Sequence, residues 1–117
     1  MSPKRGDRVA PPAVGNEWDV RFATSEAVKG WDDLCRQAPE NTAKAWQDMR
    51  AHPAPHPQTP RHEQLKGSYA YGTYGGRRLA QWQIEVTSGG RVRYLLDTDK
   101  RTVWVQMAST RHPKATE

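Results

Sequence analysis

Trp18, Val20 and Phe22 alternate with Asp19, Arg21 and Ala23, a period of two that predicts a half-buried strand. The spacing then lengthens. Ala27, Trp31, Leu34, Cys35 and Ala38 recur at helical intervals and predict an amphipathic helix. Ser25 is the expected N-cap, with Glu26 near the positive end of the helix dipole. Cys35 falls on the apolar stripe and reads as a small core residue. Pro39 ends this helix and suits the first turn of another. The second helix extends to about Ala51, with Thr42, Ala45, Trp46 and Met49 on one face. Two helices so close in sequence form a hairpin. Residues 52–60 contain Pro53, Pro55, Pro57 and Pro60 and predict a semi-rigid extended connector.

Beyond the connector the pattern is β. Residues 65–74 read as one strand with Tyr69 and Tyr71 on a common face, and Gly67 and Gly72 permitting bends. Gly75 and Gly76 form a turn. Three alternating runs follow: Trp82/Ile84/Val86, Val92/Tyr94/Leu96 and Val103/Val105/Met107. Turns at 88–90 and 98–100 join them into an antiparallel meander. Burial then dictates the architecture. An α+β fold is expected, with the helix hairpin on one face of a mainly antiparallel twisted sheet. The opposite face displays Gln83, Glu85, Arg91, Arg93, Trp104 and Gln106, and is expected to be open to a nucleic-acid strand.

Length sets the frame: 117 residues suffice for one domain. Residues 1–16 hold three prolines and no apolar period, which predicts a flexible tail before a single domain over 17–114. Leu, Ile, Val and Phe total only fifteen residues, a fraction typical of disordered chains. Five Trp and four Tyr offset this, because each buries a large apolar area. No apolar run is long enough for a membrane span, and no secretory leader is expected. A single cysteine excludes an internal disulfide framework and a thiolate-rich zinc site. His52, His56 and His62 match no usual ligand spacing, so no metal is expected. The expected setting is cytoplasmic. The net charge of +5 is uneven: +2 over 1–16, −2 over 17–60 and +5 over 61–117. That surplus suits a polyanionic partner such as RNA.

The order β-α-α-β-β-β with a basic face resembles the RelE/ParE superfamily of type II toxins. The motifs that carry the likeness are Leu65-Lys66-Gly67, the aromatic-led strand at Trp82, the Gly89-Gly90 turn, Arg91-Val92-Arg93-Tyr94, the valines at 103 and 105, and Arg111-His112. The likeness spans about residues 17–114.

For RelE-like and YoeB-like members the resemblance implies a metal- and cofactor-independent endoribonuclease that cuts mRNA, usually on the ribosome. The 2′-hydroxyl attacks the adjacent phosphate, which requires a base, cations at phosphorus and an acid. On the matching positions, Glu63 is the implied base, Arg91 the phosphate clamp and His112 the acid, with Glu85 an alternative base. Lys66, Arg77, Arg78, Arg93, Arg111 and Lys114 are expected to contact phosphates. Tyr69, Tyr71 and Trp104 are expected either to stack on bases or to form a structural aromatic ladder. Gln83 and Glu85 stand where RelE carries two lysines, so a lysine-rich mechanism is not reproduced. The resemblance also implies a cognate antitoxin as partner. A gyrase-directed ParE-like toxin and a non-catalytic RNA-binding module share the fold and remain alternatives.

Overall fold

A computed structural model describes residues 3–9 and 11–111. The strand Asp19–Phe22 (β1) gives way to a helix at Thr24, whose backbone is extended and whose hydroxyl accepts from the Ala27 N–H. Thr24 rather than Ser25 is therefore the N-cap of the helix Ser25–Gln37 (α1). Pro39 opens the second helix, Pro39–Ala51 (α2). Six strands form one sheet: β1, His62–Gln64 (β2), Tyr71–Tyr74 (β3), Arg77–Glu85 (β4), Arg91–Asp97 (β5) and Thr102–Ser109 (β6). Their order is β1-β6-β5-β4-β2, and β3 pairs with the first half of β4. β1 runs parallel to β6, and the remaining pairs are antiparallel. The fold is thus α+β, two helices on a mixed, mostly antiparallel sheet.

Both helices lie on one sheet face. Leu34 of α1 and Ala45 and Met49 of α2 meet Trp82, Ile84, Val92, Tyr94, Val103 and Val105 in one buried cluster. Tyr94 and the valines at 92, 103 and 105 are wholly buried, so the core rests on β-branched and aromatic groups, as the composition requires.

Several expectations are corrected. Residues 3–9 of the supposed tail lie along β1: Gly6 and Val9 donate to Phe22 and Val20 carbonyls, Asp7 accepts from the Phe22 N–H, and Val9 is buried. That covers an edge that would otherwise expose unpaired backbone. Residues 65–74 are not one strand. Gly67 takes φ +63° and starts a single 3-10 turn, Gly67–Tyr69, that separates β2 from β3. Met107 does not continue the Val103/Val105 series. Arg93 pairs with Met107 but Tyr94 with Val105, so Gln106 is an extra residue that flips the alternation. Ala108 takes the core position instead. Cys35 is exposed, because the helix turns its narrow buried stripe toward Ala27 and Leu34.

Candidate nucleic-acid interface

Register decides which side chains share the face away from the helices. Glu63 pairs with Gln83, Gln83 with Arg93, and Arg93 with Met107. These residues form a row across four strands. The next row along the same face is Glu85, Arg91 and Ser109. A carboxylate, an amide and a guanidinium therefore stand side by side on β2, β4 and β5.

Arg93 is the centre of this row. It is only 8% exposed, and its Nε donates to Gln83 Oε1 at 3.0 Å. Its Nη2 has no hydrogen-bond partner, and no carboxylate lies within ion-pair distance among the described residues. Tyr69 covers it, the guanidinium carbon lying 5.6 Å from the ring centre. Burial lowers the Arg93 pKa from its ordinary value.

Arg91 holds a different post. Its Nη1 donates to the carbonyls of Thr87, Ser88 and Gly90 at 2.9, 3.2 and 3.0 Å, and its Nη2 meets Glu85 at 3.0 Å. It clasps the β4–β5 turn, so the phosphate-clamp role expected of it is not prepared. Glu85 is held by Arg91 and by Arg61 at 3.2 Å, which leaves it a structural counter-ion rather than a poised base.

The far face is also less open than expected. The 3-10 turn and β3 curl over its middle, where Gln81 and Leu95 are buried and Gln81 donates to the Tyr69 carbonyl. A Cβ on Gly72 would lie 2.8 Å from Leu95, so β3 sits directly on β5 there. Trp104 stacks on Tyr74 at 4.2 Å and offers no bare ring for a base. Arg77 grips Asp97 with two 2.8 Å contacts and reaches Asp99 at 2.8 Å, so it too is committed within the fold. Burial would raise the Asp97 pKa, but hydrogen bonds from Arg77, the Lys100 N–H and Trp104 outweigh it and hold the carboxyl below the usual range. Lys66 and Arg111 are exposed, and Arg78 lies over exposed Tyr71 at 4.1 Å. His112 and Lys114 lie outside the described residues.

One cluster has no signature in the local sequence pattern. His62 pairs with Ile84 and so faces the helices, where its Nε2 meets Tyr94 Oη at 2.5 Å. Tyr94 in turn donates to the Pro53 carbonyl. Burial lowers the His62 pKa against the opposing pull of Asp48 and the Pro53 carbonyl. Burial and the Asp48 charge both raise that of Tyr94. The alternation Ile84/Val92 was the available signal: it assigns His62 to the core face once β2 is in register.

Among the described residues no group of three His, Cys, Asp or Glu side chains is arranged to hold a metal, and no helix is long and apolar enough to cross a membrane. Comparison with family models, curated proteins and solved structures returned no match.

Proposed function

We propose that the protein is the toxin of a toxin–antitoxin pair, an endoribonuclease of RelE-like fold acting on mRNA. The reading rests on the order strand, helix hairpin, sheet and above all on the row Glu63–Gln83–Arg93, where a carboxylate and a guanidinium with one unpaired nitrogen share one face. Glu63 takes the proton of the RNA 2′-hydroxyl. The 2′-oxygen bonds to phosphorus, Arg93, uncovered as Tyr69 swings aside, meets the growing negative charge, and the bond to the 5′-oxygen breaks. That leaving oxygen needs a proton, the role the resemblance gives His112. Lys66 and Arg111 guide the strand as phosphate contacts. Arg91 acts indirectly, by fixing the turn behind Arg93. The ribosome and an antitoxin covering this face are the partners that go with this reading.

A second reading has its own support. The Glu85–Arg91 pair and the Tyr69 cover neutralise and enclose much of the face, which suits an RNA-binding module without catalysis. The experiment is induced expression followed by mapping of RNA 5′ ends, for the wild type and for Glu63→Gln and Arg93→Lys. Growth arrest with new RNA ends, both lost in Glu63→Gln that still folds, supports the nuclease. Arrest with intact messages and trapped gyrase replaces it with a ParE-like activity. RNA binding without cleavage or arrest leaves the module.

A further inference from the structure

A second site lies on the helix side of the sheet, along its β2 edge. Two hollows of about 440 and 570 Å³ adjoin there, and both are lined by Asp48, Thr59 and His62. Each is large enough for a small organic ligand.

The hydrogen bonds fix the imidazole. Tyr94 has one hydroxyl proton, and the Pro53 carbonyl can only accept, so that proton points to Pro53. Nε2 of His62 then donates to Tyr94, which leaves Nδ1 as the lone-pair acceptor. Beside it, half-buried Asp48 makes no ion pair or side-chain hydrogen bond among the described residues, yet its charge is felt by His62 and Tyr94. The wall shared by the two hollows thus presents a carboxylate and an imidazole nitrogen, both of which only accept. It calls for a cationic donor.

The walls orient that donor. Lys44 and Arg61 line the first hollow and repel a cation there, while Glu85 on that side is already held by Arg61 and Arg91. The second hollow is walled by Trp18, Pro53 and Pro55 and suits an alkyl stem; His52 and His56 also border it. The geometry points to a binding site for an alkylguanidinium or alkylammonium ion, its head between Asp48 and His62 Nδ1 and its stem along Trp18 and the prolines. A guanidinium fits better, since its parallel donors match a carboxylate.

The test is titration of the whole chain with butylguanidinium, with its neutral urea analogue butylurea and with a short arginine-containing peptide, followed by calorimetry and by the His62 imidazole NMR signals. Butylguanidinium or the peptide is expected to bind and shift those signals, and the urea analogue not to. Asp48→Asn, checked by its melting curve, is expected to weaken binding at least about tenfold. Preference for butylguanidinium identifies a free alkylguanidinium as the source; preference for the peptide identifies an arginine side chain. Equal binding of the urea analogue, unchanged affinity in folded Asp48→Asn, or no binding of either charged probe overturns the site. None of these outcomes depends on nuclease activity.

Discussion

Gly30 of α1 faces Ala108 of β6 so closely that a methyl group at position 30 would lie 1.8 Å from the Ala108 carbonyl oxygen. The obstacle is backbone, which cannot swing aside as a side chain would. Gly30→Ala must therefore lift the helix off the strand or unwind it locally. A loss of about 3 kcal/mol is expected in urea unfolding, against the small gain Ala normally brings inside a helix. An unchanged midpoint would mean the helix does not lie on β6 as described.

Thr24 caps α1 and also donates to the Gln106 carbonyl at 2.9 Å, tying the helix start to the bulge. Thr24→Ala is expected to cost about 1–2 kcal/mol, whereas Ser25→Ala is expected to cost little. Paired denaturation curves of the two variants distinguish the cap from its neighbour.

Stability should fall on mild acidification. The folded state holds the His62 pKa below its ordinary value of 6.5, so the unfolded chain binds more protons as the pH drops past that value. The stabilisation is complete above about 6.5 and is lost as the pH falls through the lowered pKa. Asp97 adds a second loss further down, since its depressed carboxyl favours the fold only above the usual carboxylate range. Melting temperatures at pH 7.5 and 5 should show the first drop, and His62→Gln should flatten it. Tyr94→Phe should cost about 1–3 kcal/mol at either pH by stranding the His62 N–H and the Pro53 carbonyl.

Arg77→Ala separates the two parts it was given. Asp97 is 2% exposed, so removal of Arg77 leaves a buried carboxylate short of its main partner. Stability should drop by about 3 kcal/mol. RNA affinity of the folded protein should stay within about twofold, since this guanidinium is already occupied. A large loss of RNA binding at constant fold would return Arg77 to the interface.

RNA binding by the proposed face should weaken steeply with salt. Each phosphate contact contributes a slope of about −0.7 in log affinity against log salt for a single strand. Lys66→Ala should remove about one such contact, and Arg77→Ala none. A flat salt response in the wild type would remove phosphate contacts from the account.

Most of the layer structure was readable because alternation is local. Trp82/Ile84 and Val103/Val105 show their face within a few residues, and Pro39 marks a helix start by itself. The misreadings share a cause. Gln106 carries no glycine or proline to announce a bulge, so Met107 was read into the core in place of Ala108. Val9 is one apolar residue among prolines and charges, and only its hydrogen bond to Val20 reveals that it docks. Tyr69 and Tyr71 alternate as a strand would, but the positive φ at Gly67 breaks the run. At the site, Arg91 and Arg93 have the same parity and the same chemistry. What separates them is that turn carbonyls consume one guanidinium and an aromatic lid encloses the other. The His62–Tyr94–Pro53 relay joins residues 32 and 41 positions apart, beyond the reach of any local pattern.

The parallel match of Asp19–Phe22 with Thr102–Val105 also governs how the protein is made. Synthesis delivers the first of these segments roughly eighty residues ahead of its mate, so its inner hydrogen-bonding groups stay unmatched until the helices and the other strands have emerged. Closure is then a single late, long-distance event, the kind that slows folding most. A nascent chain from which Thr102–Val105 has not yet emerged would present Val20 and Phe22 to chaperones, and emergence of that last segment would hide them.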